Sequence, residues 1–169
     1  MLKDFKIERI SSVGEHIDGL SELLVDVVDG GASLGFLPPL KRSNAAEYWG
    51  HVHQPEVLLW IARSKDRIVG TVQLHLCTKE NGLHRAEIAK LMTAPDYRRK
   101  GLGRSLMQTA EMHARQEARN LIVLDTRDGD PSNLLYESLG YMKGGTIPRF
   151  AKSADGKLDA TNLYYKCLD

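Results

Sequence analysis

Apolar positions change period early in the chain. Phe5, Ile7 and Ile10 alternate with polar neighbours as in a half-buried strand, whereas Ile17, Leu20, Leu24, Val27 and Val28 recur at the spacing of one helix face. Gly30-Gly31 ends that helix, and the stretch through Phe36 to Pro38-Pro39 is punctuated as an irregular surface loop able to shape a pocket. Ser43 is placed to cap a second helix through Trp49 and His53, which Pro55 stops. The run Val57 to Ala62, a turn over Ser64 to Arg67, and the alternation from Ile68 to Cys77 predict a β-hairpin. Arg85 to Met92 adds a third antiparallel strand, ended by Pro95.

Leu102, Leu106, Ala110 and Ala114 mark an amphipathic helix, with Glu111, Arg115, Gln116 and Glu117 on an outer, solvated face. The short continuous run Leu121-Ile122-Val123-Leu124 predicts a strand buried on both sides and parallel to Arg85–Met92. A short helix from Ser132 to Leu139 ends at Gly140, which supplies the left-handed terminus. Two last strands, around Tyr141 to Ile147 and Thr161 to Leu168, flank a turn at Ala154 to Lys157. No repeat or linker interrupts the pattern, so residues 1–169 form one domain.

Composition narrows the classes. With 23 Lys and Arg against 22 Asp and Glu the formal charge is +1, so no global field draws the chain to nucleic acid or to an acidic membrane; any anion must be held locally. Cys77 and Cys167 lie in alternating apolar stretches and predict free, buried thiols of a reducing compartment. The N-terminus lacks the apolar core of a signal peptide and no run approaches a membrane span, so the expected location is the cytoplasm. His51 and His53 have no Cys or carboxylate to complete a metal site. Trp49 and Trp60 suit packing; His75 and His84 flank a hairpin as ordinary histidines, with His84 close enough to the third strand to act as a further proton acceptor.

The segment Lys90 to Arg104 carries the chemistry, because it joins a strand to a helix through a basic, glycine-bearing loop. Unpaired N–H groups at a helix start form an anion site, Gly101 and Gly103 permit close approach, and Arg98, Arg99, Lys100 and Arg104 add charge-assisted hydrogen bonds; a pyrophosphate is the expected guest. The same residues also describe an ordinary helix start with a solvated basic rim. Leu106 stands where the dinucleotide fingerprint needs its third glycine, and no Gly-Lys-Ser/Thr follows for a phosphate loop, so both those nucleotide motifs are excluded.

Arg98-x-x-Gly101-x-Gly103, set between a strand and a long helix and followed by a strand and Asn133-Leu134-Leu135-Tyr136-Glu137-Ser138-Leu139-Gly140-Tyr141, resembles the GNAT family of N-acetyltransferases over about Val57 to Tyr141. The similarity is greatest to members that acetylate amino-acid-like β-lactam toxins, through Gly30-Gly31-Ala32-Ser33, Arg85-Ala86-Glu87 and Leu124-Asp125-Thr126 among other segments. The resemblance implies an α+β fold: a mixed, mostly antiparallel sheet of about six to seven strands flanked by about four helices. It implies acetyl-coenzyme A as cofactor and a small-molecule amine as acceptor, attacked directly, with toxin or antibiotic resistance as the setting and a homodimer that completes the pocket.

By the same resemblance, backbone groups of Leu91, Met92 and Thr93 receive the acetyl and pantetheine portion, residues Arg98 to Arg104, Leu102 included, wrap the diphosphate, and Asn133 and Tyr136 complete the cofactor site. Tyr136 is the general acid, protonated at neutral pH because a phenol titrates near about 10. Glu87 is the first choice of base and Asp125 the second, able also to bind the acceptor ammonium. Structural roles stay open: Glu87 as an ion-pair partner of Lys90, Asp125 as a turn cap beside Thr126, Tyr136 as a helix anchor. Also open are an acyl-coenzyme A module without chemistry and a transferase for protein amines.

Overall fold

The computed structural model describes residues 4–169; Met1, Leu2 and Lys3, which open the stretch read above for a signal peptide, lie outside them. β1 (Lys6–Ile10) leads through a tight turn into α1 (Ile17–Asp29), and a loop connects α1 to α2 (Arg42–His51). Then come β2 (Val57–Ser64), β3 (Arg67–Leu76), β4 (Arg85–Thr93), α3 (Leu102–Gln116), β5 (Leu121–Arg127), α4 (Ser132–Ser138), β6 (Met142–Lys152) and β7 (Leu158–Cys167). The seven strands form one sheet in the order β1-β2-β3-β4-β5-β7-β6. Among the described residues only β4 and β5 run parallel, and α3 is the crossover such a pair requires. This is the α+β architecture expected from the sequence.

Two apolar layers sandwich the sheet. α3 buries Leu102, Leu106, Met107, Ala110 and Ala114, and its His113 ring lies 4.9 Å from that of Trp60. On the other face α1 buries Leu20, Leu23, Leu24, Val27 and Val28, and Tyr48 of α2 reaches Gln73 of β3. α1 and α2 do not extend over β5, β7 and β6 on their face, so Asp125, Ile147 and Leu163 stay exposed there. No helix among the described residues is long and apolar enough to cross a membrane.

Several expectations are corrected. Lys41, not Ser43, occupies the N-cap of α2, without a side-chain cap bond, and the helix stops at His51, short of His53. β5 is buried on one face only: Ile122 and Leu124 are inside, whereas Leu121 and Val123 are half-buried because no helix covers them. β6 and β7 extend well beyond the predicted runs, since each satisfies the other's backbone in a long hairpin from Met142–Tyr165 to Lys152–Leu158. Cys77 is half-buried and Cys167 exposed, both as free thiols, because β7 ends at Cys167 with no layer over it.

Glu111 is the sharpest departure. Placed by periodicity on a solvated face, it is buried beneath β7, whose Lys166 reaches it at 2.9 Å. The buried Tyr141 hydroxyl, raised in pKa by burial and by Glu111, lies in the same cluster, with the Lys166 ammonium 5.4 Å from the Tyr141 ring centre. A buried ion pair adds little by itself, but removing one partner strands the other charge. Lys166→Met should therefore destabilise the fold by about 3 kcal/mol in urea denaturation, the low end for a buried pair because Lys166 keeps some contact with water, and adding Glu111→Leu should recover most of the loss.

Candidate active site

β4 and β5 pair only at Arg85–Leu121, Ala86–Ile122 and Glu87–Val123, although β4 runs on to Thr93 and β5 to Arg127. Beyond Glu87 the strands diverge and leave a wedge between them. The register of β4 against β3 jumps from Gln73–Ala89 to Thr71–Met92, so β4 carries an extra residue there, and Lys90 takes a left-handed φ of 55°. A bulge of this kind bends and twists its strand, which carries the end of β4 away from β5. Because the Ala94 amide donates to the Val69 carbonyl, the preceding Thr93 turns its N–H away from β3 and into the wedge. Leu91, Met92 and Thr93 thus form the rim of the opening, with the Met92 side chain buried beneath it.

α3 starts after this rim. Arg99 and Gly101 adopt left-handed φ values of 61° and 78°, the arrangement that turns successive amides into a concavity for an anion. The first helical bond runs from the Ser105 amide to the Gly101 carbonyl, so the amides of Leu102, Gly103 and Arg104 are not taken by the helix. A side chain at Gly101 would meet nothing within 4 Å, whereas one at Gly103 would come within 3.3 Å of Leu135 Cδ2. Gly101 therefore faces open space and Gly103 lets α4 pack closely. Lys100 lies with its ammonium 4.7 Å from the Tyr97 ring centre, and Arg104 donates to Ser138 Oγ at 2.6 Å, tying α3 to α4.

Tyr136 sits on α4, buried, its ring 6.0 Å from Tyr141 and 5.9 Å from Tyr164. Burial, then the charges of Asp125 and Asp130, push its hydroxyl well above the ordinary phenol range, so it stays protonated. Asn133 is fully engaged within the protein: its Nδ2 donates to the carbonyls of Arg127 and Asp130, and its Oδ1 accepts from Asn162 and Tyr164. Asn133 accordingly braces α4 against β5 and β7, and its side chain is the one member of the expected cofactor set with its hydrogen-bonding capacity used up internally.

On the opposite side of the wedge stand Glu87 and Asp125, with Lys90 between them electrostatically. Burial and the negative charge of Asp125 push the Glu87 carboxyl up, while Lys90 opposes this. Burial lowers the Lys90 pKa, and the two carboxylates oppose that shift. No carboxylate of the described residues comes within 4.0 Å of the Lys90 ammonium; it donates instead to the Leu34 carbonyl at 2.6 Å and lies 5.8 and 5.7 Å from the ring centres of Phe36 and Tyr48. Asp125 accepts from Thr161 Oγ1 at 2.9 Å rather than capping Thr126. The loop between α1 and α2 is tied to β4 and β5 at two points, Lys90 to the Leu34 carbonyl and Arg127 to the Gly31 carbonyl, and its far end is tied back to α1 by the Leu40 amide on Asp29.

Sequence reasoning missed Lys90, Tyr48, Gln73 and His75 as members of this site. Gln73 Nε2 donates to the Tyr48 hydroxyl at 2.9 Å, His75 Nε2 lies 2.8 Å from Gln73 Oε1, and His75 is the cross-strand partner of Glu87. The alternation of β3 puts residues 73 and 75 on one face, but only the register against β4 sets them beside Glu87. His84, singled out instead, stands exposed at the closed end of the β4–β5 pair, where its carbonyl receives the amides of Asn120 and Leu121; it is not brought to the wedge.

Residues 32–141, which hold the wedge, the rim and both helices beside it, match the Acetyltransferase (GNAT) family. The chain belongs to that family. Human N-acetyltransferase 8B is 32% identical over 51% of this chain and 39% of its own length. The chain spans under two fifths of the length of the curated relatives it matches. Among solved structures, a protein assigned as a phosphinothricin N-acetyltransferase superposes with a TM-score of 0.82 at 16% identity, covering 98% of this chain and 99% of that one. YncA of Salmonella typhimurium, solved with its cofactor acetyl-CoA, gives 0.80 at 15% identity over 98% and 94%. At these identities the superpositions establish the GNAT fold.

The raised Glu87 carboxyl has a stability consequence. A carboxyl whose folded pKa exceeds its ordinary 4.5 holds more protons in the native state than in the unfolded one, so its contribution falls as pH rises through that window. Glu87→Gln should raise the melting temperature at pH 7 relative to the parent chain, and the difference should shrink as pH falls below the unfolded value of 4.5, where Glu87 becomes protonated in both states.

Proposed function

We propose that this GNAT protein transfers the acetyl group of acetyl-coenzyme A to the amine of a small, amino-acid-like acceptor. The observation that carries the reading is the wedge itself, with an unclaimed anion cradle at the start of α3 on one side and Glu87, Lys90 and Asp125 on the other. Residues present fit the cofactor: the space before Gly101 is open, and the amides of Leu102, Gly103 and Arg104 have no helical partner. When bound, the cofactor supplies an activated acetyl thioester.

The chain's own groups divide the remaining work. Amides of the cradle, helped by the α3 dipole, hold a diphosphate, and Arg98, Arg99 and Lys100 add positive charge around it. The Thr93 N–H, pointing into the wedge, donates to a carbonyl oxygen that gains charge. Glu87, whose pKa burial and Asp125 raise, would take a proton from the acceptor amine as the carboxylate, and Tyr136 would offer its hydroxyl proton toward a sulfur leaving group. Asp125 attracts the acceptor's ammonium on entry, while Lys90, lacking a carboxylate partner, receives its carboxylate.

The ties of the α1–α2 loop to β4 and β5 favour a small acceptor over a peptide, which needs an open groove. The chain resembles the tabtoxin resistance protein at Asn81-Gly82-Leu83, Lys90-Leu91-Met92 and Gly101-Leu102-Gly103-Arg104 as well as at the segments named earlier, so a tabtoxinine-type β-lactam is the first acceptor to try. Exposed Ile147 and Phe150 on β6 and Leu163 on β7 support the homodimer that the resemblance implies, and two free thiols fit the cytoplasm.

Gly101→Asp tests the cradle. Aspartate tolerates the left-handed conformation better than most residues, so the fold should persist while a carboxylate faces the diphosphate. Calorimetry should show coenzyme A affinity falling at least about tenfold, the scale of one lost charge-assisted contact; unchanged affinity would count against the site. For the acceptor side, an amine screen with thiol-release detection should find amino acids preferred over their decarboxylated amines. Lys90→Met should raise KM for the former about tenfold or more and leave that for the latter nearly unchanged.

A further inference from the structure

We propose that His75 is a positioning and proton-relay residue for Glu87, its tautomer set by a hydrogen-bonded chain through Gln73 to the Tyr48 hydroxyl. The inference rests on the acetyltransferase reading and deepens it by naming where the acceptor's proton goes after Glu87.

Geometry supplies the argument. His75 and Glu87 are directly opposed on adjacent antiparallel strands, so their side chains leave the same face with Cβ atoms about 5 Å apart, within reach through one water molecule. Gln73 Nε2 donates to Tyr48, which leaves Gln73 Oε1 as the acceptor 2.8 Å from His75 Nε2. His75 therefore carries its proton on Nε2, and Nδ1 is left as a lone pair. Burial and Lys90 lower the pKa of the ring against the weaker pull of Glu56, and Glu87 stands opposite it on β4. Tyr48 is itself held by an edge contact to Phe36, 5.4 Å between ring centres, so the chain is anchored in the same loop that covers Lys90.

The proton balance is direct. As the acceptor nitrogen loses its N–H bond, the proton passes to a Glu87 carboxylate oxygen; from there it moves to His75 Nδ1, restoring the carboxylate and leaving an imidazolium that releases it to solvent. Glu87 has a raised pKa and Asp125 beside it, so a second acceptor clears the proton that would otherwise block the next turnover. Gln73 and Tyr48 take no part in the transfer; they keep Nδ1 free.

Long-range proton–nitrogen NMR on the 15N-labelled protein without cofactor reads the tautomer without reference to activity. The expected result is a neutral Nε2–H imidazole at pH 7 that becomes a tautomer mixture in Gln73→Leu; an Nδ1–H ring, or an imidazolium, overturns the proposal. In steady-state assays His75→Gln should lower kcat about tenfold, leave KM for acetyl-CoA and the melting temperature unaltered, and move the acidic limb of the pH profile. Imidazole in the buffer should restore the rate to His75→Gly. Wild-type kcat and pH profile in His75→Gln sink the relay alone, whereas absence of transfer to any amine by the parent chain sinks the acetyltransferase reading and the relay with it.

Discussion

One constraint shapes everything else: the parallel pairing of β4 and β5 ends after Glu87 and Val123 while both strands continue. Each strand edge left open in the wedge carries amide and carbonyl groups that no sheet neighbour satisfies, and buried backbone groups need partners. The bulge at Lys90 enforces the separation, since a residue added to β4 without a counterpart on β3 bends β4 outward. The opening is thus part of the strand geometry and does not depend on a mobile loop. Its walls are sheet and helix, which hold a reacting pair in place better than loop segments do.

The wedge also explains the electrostatics. Asp125 acts on Glu87 and Lys90 on one side and on Tyr136 on the other, so one carboxylate biases groups that the sheet would otherwise separate. Burial and Asp125 raise both Glu87 and Tyr136, and the phenol stays protonated at neutral pH. Lys90 limits the shift of Glu87 and gains its fixed position from a backbone carbonyl, so its charge stays available. A net charge of +1 over the whole chain conceals a local contrast, in which Arg98, Arg99, Lys100 and Arg104 stand at the start of α3 and Glu87 and Asp125 across the wedge.

Bracing is as particular as the chemistry. Asn133 looked like a ligand by its place in the motif, yet its amide joins β5, α4 and β7 and sets the helix that presents Tyr136. Gly103 similarly serves the contact of α3 with Leu135, leaving Gly101 as the glycine that faces open space. Arg127 links the end of β5 to Gly31, Asp130 and Ser153, so the cover of the site and its floor are tied to one guanidinium.

Local pattern determined a good deal. The periods of apolar residues placed α1, α3, β2, β3 and β4, and the spacing of Arg98, Gly101 and Gly103 located the cradle, because periodicity and backbone conformation depend on near neighbours in the chain. The motif around Glu87, Asp125 and Tyr136 singled them out in the sequence, and the fold sets all three around the wedge. The burial of Glu111 was not, since Lys166 lies 55 residues away and a helix face is called polar or apolar without knowledge of what covers it. Nor was the site membership of Lys90, Tyr48, Gln73 and His75: strand register across β3 and β4, and a bulge that reverses which way one side chain points, are properties of paired strands. A chain read singly has no partner strand against which to measure them, so that part of the site was decided by tertiary structure alone.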